Sequence, residues 1–112
     1  AVQMDYEHGV FETNAKGECM YVNRTYVRLT GRSLDECRGN GWVLSIHPDD
    51  RDKVIDEWND AIDQRREFEL TYRFVNHITK ELINVKVSAF PILDLVGENV
   101  IGYTGIVTPL AA

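Results

Sequence analysis

The order of sequence patterns along this chain predicts an α+β domain, and three observations lead to that reading. The first is an amphipathic helix over residues 48 to about 66, after the run Ile46-His47-Pro48-Asp49-Asp50-Arg51. Pro48 suits a first turn, where its missing N–H costs nothing, and Asp49 and Asp50 sit where the helix dipole favours negative charge. Val54, Ile55, Trp58, Ala61 and Ile62 recur at helical spacing as one apolar stripe, with Arg65 and Arg66 at the negative end of the dipole. The second observation is that Phe68, Leu70, Tyr72 and Phe74 alternate with Glu69, Thr71 and Arg73, and that two more strand-like runs follow across short turns. Strands joined so closely must pair antiparallel. The third is that two short strands and small helices precede the long helix.

Residues 1 to 8 read as a lead-in, with Tyr6 and His8 as groups that could dock on the body. Residues 9 to 13 form a short strand, Asn14-Ala15-Lys16-Gly17 a turn with Gly17 suited to positive φ, and residues 18 to 22 the second strand of a hairpin. Asn23 is an N-cap, because its side-chain oxygen can accept an early helical N–H; Tyr26, Val27, Leu29 and Thr30 follow, closed by Gly31. Ser33 and Glu36 fit a capping box for a second short helix that stops near Gly39-Asn40-Gly41. Trp42, Leu44 and Ile46 are apolar anchors of a connecting segment. After the long helix and the first late strand, residues 76 to 80 make a turn. Val85, Val87 and Ala89 alternate with Asn84, Lys86 and Ser88, and Pro91 marks a strand end or sheet edge. Residues 94 to 99 turn again, and residues 100 to 108 form the last strand. Gly102 and Gly105 lie inside it, where glycine often marks close approach of a ligand or backbone. No repeat, low-complexity tract or interior linker interrupts this order.

The bulk numbers bound the function. A chain of 112 residues favours one domain. At this size roughly 65% of the unfolded surface is hidden, enough for a real core. A net charge of −6 argues against nucleic acid and anionic membrane as partners. No apolar run approaches the roughly 20 residues that span a bilayer, and no signal peptide is recognisable. The chain begins Ala1-Val2 without an initiator Met and reads as a piece of something longer. Cys19 and Cys37 are too few for a disulfide scaffold and read as thiols in a reducing cytoplasm. The glycosylation-like Asn23-Arg24-Thr25 lacks a secretory context.

Several words in this order are shared with a known family: Gly9-Val10-Phe11-Glu12-Thr13-Asn14, Gly17-Glu18-Cys19-Met20-Tyr21-Val22-Asn23, and Leu29-Thr30-Gly31-Arg32-Ser33-Leu34-Asp35-Glu36. Gly39, Trp42, Ile46 to Arg51, Tyr72-Arg73, Gly97, Gly102 and Gly105-Ile106-Val107 continue the series. Together, over about residues 7 to 108, they resemble the PAS domain family, in the subgroup with a Trp before an Ile-His-Pro-Asp-Asp-Arg run. The resemblance implies a five-stranded antiparallel sheet with short helices and one long helix packed on one face. It also implies a sensory or dimerising module, without turnover, in a bacterial or archaeal signalling protein. The output domain is then a histidine kinase, as in two-component systems, or a cyclic-di-nucleotide enzyme such as a diguanylate cyclase. Residues 9–108 would be the domain, residues 1–8 a lead-in, and residues 109–112 the start of a linker. Two departures stand out. The turn Asn76-His77-Ile78-Thr79-Lys80 lacks the family's usual Asp-Gly, and Thr108-Pro109-Leu110 replaces its Asp-Ile-Thr exit.

The chemistry points to binding. Haem-bearing relatives place a His on the long helix, whereas His8, His47 and His77 lie outside it. Photoactive flavin relatives carry an Asn-Cys-Arg-Phe word, whereas Cys37 stands in Glu36-Cys37-Arg38-Gly39. No cofactor is therefore predicted, and a non-covalent flavin or a small metabolite is left open. Gly39-Asn40-Gly41 lacks the third glycine of a dinucleotide loop. Asp49, Asp52, Asp56, Asp60 and Asp63 read as a solvated helix face, partly relieved by Lys53 with Glu57, with no metal site. No catalytic residue is assigned. The candidates for a ligand pocket between helices and sheet are Tyr21, Tyr26, Trp42, Trp58, Ile62, Tyr72, Phe74, Val87, Tyr103 and Gly105. The alternatives are a ligand-free dimerisation and relay module with a filled core, and a small α+β enzyme. Expected partners are a second copy, a fused output domain and a small molecule.

Overall fold

A computed structural model describes residues 8–110. The proposed lead-in, and with it Tyr6, lies outside the described residues except for His8. The chain runs β1 (Gly9–Asn14), β2 (Cys19–Val22), α1 (Arg24–Thr30), α2 (Leu34–Cys37), a 3-10 turn (Gly41–Ser45), a second 3-10 turn (Pro48–Asp50), α3 (Arg51–Gln64), β3 (Phe68–Val75), β4 (Leu82–Leu93) and β5 (Val100–Pro109). All five strands form one antiparallel sheet in the order β2-β1-β5-β4-β3. The fold is the α+β class that the sequence predicts.

The caps form as the side-chain chemistry requires. Asn23 Oδ1 accepts from the Tyr26 N–H at 3.0 Å and from the Val10 N–H at 2.9 Å, while its Nδ2 donates to the His8 carbonyl at 3.0 Å. One amide therefore starts α1 and ties it to β1. Gly31 ends α1 with φ 68°, and a Cβ there would also crowd Asn76 and the His77 backbone. Ser33 and Glu36 complete the capping box of α2.

The long helix differs from the expected span of 48 to 66. Pro48–Asp50 form a 3-10 turn, capped by His47 Nδ1, which accepts from the Asp49 N–H at 3.0 Å. The α-helix proper starts at Arg51 and ends at Gln64, because Arg65 turns left-handed at φ 56°, ψ 39°. Arg66 then folds back onto Asp60 at 2.7 Å and Glu57 at 3.7 Å, so Glu57 pairs with Arg66 and not with Lys53. Val54, Trp58 and Ala61 are buried, as their stripe predicts.

The His-Pro-Asp-Asp-Arg run works as a clasp on β3. The His47 N–H donates to the Arg73 carbonyl at 2.8 Å. Asp50 accepts from the Arg73 N–H at 3.0 Å and from its guanidinium at 2.9 and 2.8 Å. Arg51 Nε donates to the Ile46 carbonyl at 3.0 Å. These bonds hold the N-terminal end of α3 against the sheet. Leu44, expected as an anchor, is exposed instead, because the 3-10 turn points it outward while Ser45 and Ile46 go in.

The β3–β4 turn shows how the missing glycine is replaced. Lys80 itself takes the left-handed conformation at φ 67°. Asn76, buried, accepts from the Ile78 and Thr79 N–H groups and donates to the Arg28 and Leu29 carbonyls, joining the turn to the end of α1. Pro91 lies within β4, paired with Tyr103 of β5 and two residues past Ala89, the last residue paired with β3. At Pro91, β4 thus has a neighbour on one side only, where a missing N–H is tolerated.

Candidate functional site

The inward side of the sheet and the inner face of α3 close over an aromatic core. Trp58 is its centre. Its ring meets Phe68 at 5.2 Å, Tyr103 at 5.3 Å, Trp42 at 6.2 Å and Phe11 at 6.4 Å, all edge to face. Its Nε1 donates to the Gly17 carbonyl at 3.2 Å, which fastens the β1–β2 turn to α3. Gly17 is required there twice over: φ is 84°, and a Cβ would collide with Ile62 and the Trp58 indole.

Within this core is a pocket of about 30 Å³. Five of the predicted pocket residues line it: Tyr26, Trp42, Trp58, Tyr72 and Val87. So do Phe11, Thr13, Gly17, Cys19, Val54, Phe68 and Val107, which the sequence reading did not select. Simple patterns point to most of these. Phe11 and Thr13 share one face of β1, Val54 stands one helical turn before Trp58, and Phe68 begins the alternation that reaches Tyr72.

The other candidates lie elsewhere. Tyr21 is exposed, because Met20 is an extra residue opposite β1: Tyr21 pairs with Glu12 and Cys19 with Thr13. This bulge sends Met20 and Tyr21 outward and puts Cys19 at the pocket in place of Tyr21. Phe74 is buried beyond the pocket wall, against Tyr26 at 5.8 Å and Tyr72 at 6.0 Å. Gly105 pairs with Phe11, whose ring lies over it and fills the space a side chain would take. Gly102 admits the close approach of the Thr13 carbonyl. Both glycines therefore accommodate protein atoms and not a ligand. Ile62 and Tyr103 wall a separate cleft near the end of α3.

The pocket carries no formal charge. None of its lining side chains is Asp, Glu, Lys, Arg or His. Burial pushes the Cys19 thiol and the Tyr72 phenol up from their ordinary pKa, and burial, with its titratable neighbours after it, does the same to Tyr26. All three are neutral near pH 7. One polar group stands out: Trp42 Nε1 is buried without a hydrogen-bond partner. Cys37, fully buried beside this region, has its thiol pushed up to about 11 by burial, which makes it a poor nucleophile. Among the described residues no group of His, Cys, Asp and Glu could hold a metal. No helix there is long and apolar enough to cross a membrane.

A family model described as the PAS fold matches residues 19–107. The uncharacterized protein y4lL of Sinorhizobium fredii is 31% identical over 64 residues, which is 57% of this chain and 8% of that protein. Sporulation kinase C of Bacillus subtilis is 53% identical over 30 residues, 27% of this chain and 7% of the kinase. This chain thus corresponds to a small part of either relative. The N-terminal domain of a diguanylate cyclase with PAS/PAC sensor from Marinobacter aquaeolei superposes with a TM-score of 0.78 at 16% identity, covering 92% of this chain and 94% of that one. The clasp and the caps of α1 and α2 fall inside the matched region, and the chain belongs to the PAS fold family.

Proposed function

We propose that this chain is the sensory module of a cytoplasmic prokaryotic signalling protein whose output domain is a histidine kinase or a cyclic-di-nucleotide enzyme. Its input is a small uncharged molecule held between α3 and the sheet. PAS domains are sensory, non-catalytic modules, and related ones occur in kinases and diguanylate cyclases. In this reading residues 9–108 are the sensing body and residues 109–112 lead to the output. The observation that carries the reading is the uncharged pocket with an unpartnered indole N–H in its wall. A buried donor without an acceptor is costly, so a ligand that accepts from Trp42 gains that bond. A pocket of about 30 Å³ holds about two waters. The occupant therefore has only a few non-hydrogen atoms, and a flavin or haem would require the aromatic walls to move apart.

The ligand acts by favouring one arrangement of sheet against α3 over another. Val107 of β5 is in the pocket wall and the strand ends at Pro109, so a tilt of the sheet leaves toward the output by this route. The chain has only two tryptophans, which makes the test direct. Acetone, a small neutral acceptor, is titrated into the labelled domain while both indole N–H resonances are followed. The expected result is a saturable shift of Trp42 and little change in Trp58, already bonded to Gly17. An unmoved Trp42 resonance across acetone and comparable neutral acceptors, with a native mass equal to the bare chain, overturns ligand sensing. The small volume supports a second reading, a filled core that only dimerises and relays, and that same result favours it.

A further inference from the structure

We propose a second binding site, for a short aliphatic carboxylate, in the cleft between the end of α3 and the start of β5: the carboxylate pairs with the Arg65 guanidinium and the Tyr103 hydroxyl, and the tail lies against Ile62 and Val100. The cleft has a volume of about 180 Å³ and is walled by these four residues with Ala15 and Asn99. At roughly 15 Å³ per water, as in the interior pocket, this is room for about a dozen waters and ample for a carboxylate with a short tail. It shares no wall residue with the interior pocket.

Two residues of this wall carry donors left unanswered among the described residues. Tyr103 is fully buried and its hydroxyl has no hydrogen-bond partner. The Trp58 ring, 5.3 Å away, helps fix it. An unmet buried hydroxyl is costly, so an acceptor placed there is rewarded. Arg65 is exposed and makes no ion pair among the described residues, whereas its neighbour Arg66 takes Asp60 and Glu57. The Arg65 charge also reaches the Tyr103 phenol: burial pushes that phenol's pKa up, and the guanidinium acts against the rise. The carboxylate touching the cleft wall, Asp94, is already occupied by Asn99 Nδ2 at 2.8 Å and the Glu98 N–H at 3.1 Å. A guanidinium fork matches a carboxylate in plane and spacing. Ile62, Val100 and Ala15 offer apolar surface to a tail, which a bare inorganic anion would not use.

Butyrate has the right size for a test on the labelled chain at constant ionic strength. Saturable shifts are expected at the amides of Arg65, Asn99 and Val100, with the Trp42 indole unmoved. Butyramide, equal in shape but uncharged, and chloride should give no saturable response. Arg65→Gln, at an exposed position, should bind butyrate about tenfold more weakly, the loss of one charge-assisted pair. Tyr103→Phe, which keeps the ring, should weaken it by a smaller factor. No saturable shift with butyrate, an equal response to butyramide, or undiminished binding by Arg65→Gln overturns the proposal. The acetone titration addresses the interior pocket alone, so either site can fail without the other.

Discussion

Asn23 and Asp50 show what single side chains contribute to this fold. The sequence marks Asn23 as a cap, which alone predicts a loss of about 1 kcal/mol on replacement by Ala. The structure adds the Val10 N–H and the His8 carbonyl to its partners. Asn23→Ala therefore should cost about 2 kcal/mol, since two further polar groups lose their bonds. Asn23→Asp, which keeps the accepting oxygen, should cost less. Denaturant unfolding of the three proteins measures this, and a loss near zero for Asn23→Ala would remove the cap's energetic role. Asp50 makes a pH prediction. The Arg73 guanidinium, first through its hydrogen bonds, holds the Asp50 carboxyl at about 2, below its ordinary 3.8. A depressed folded-state pKa gives stability that is present above about pH 4 and lost as pH falls toward 2. With Arg73 partly exposed, screening reduces this contribution to about 1 kcal/mol. Asp50→Asn should thus lower stability at pH 6 and converge on the parent near pH 2; curves that stay parallel would refute the linkage.

At the scale of elements, the sequence is most readable where one local rule decides. The alternation in β3, the caps of α1 and α2 and the apolar stripe of α3 depend on neighbours within four residues, and all appear. The bulge at Met20 is not readable this way, because only the register against β1 reveals the extra residue, and it moves Tyr21 out of the candidate site. Asn76 is similarly hidden: its role depends on carbonyls in α1, 47 and 48 positions away. Left-handed Arg65 and Lys80 are missed because such backbone is normally signalled by Gly or Asn. Half of the candidate pocket residues line the pocket, and Tyr21 shows what a pattern of residue types leaves open. Composition shows that a residue is aromatic, whereas pairing decides which face it takes. Gly105 also depends on its strand partner. Its partner Phe11 covers it and also lines the pocket, so Gly105→Val should drive that ring into the pocket. The expected loss is about 1–3 kcal/mol by overpacking. In a Phe11→Leu background the same change should cost clearly less, because the collision is relieved. Equal costs in both backgrounds would show that Phe11 is not what Gly105 accommodates.

The whole molecule places β5 at the centre of the sheet, between β1 and β4. Successive residues of this strand face opposite ways: Val107 is in the pocket wall, while Ile106 is exposed on the far face. There Ile106 stands across from Val10 on one side and Ser88 on the other, and exposed Phe90 lies on the same face, two residues along β4 from Ser88. Exposed apolar side chains gathered on one face of a sheet suit a second copy or a neighbouring segment better than water. The domain should therefore self-associate weakly through this face, with a mass that rises with concentration toward about 1 mM, where interactions near 4 kcal/mol become visible. Ile106→Lys should abolish the rise by placing like charges opposite each other across the interface. Because the side chain is outward and exposed, the same change should alter stability by less than about 0.5 kcal/mol. It should also leave the acetone response of Trp42 intact. Sedimentation over that range separates the outcomes. A parent chain that stays monomeric removes self-association through this face, and an Ile106→Lys protein that still associates moves the contact to another surface. If association is lost while the pocket is unchanged, the two faces of β5 are separable. The strand then joins an input on one side to an assembly on the other.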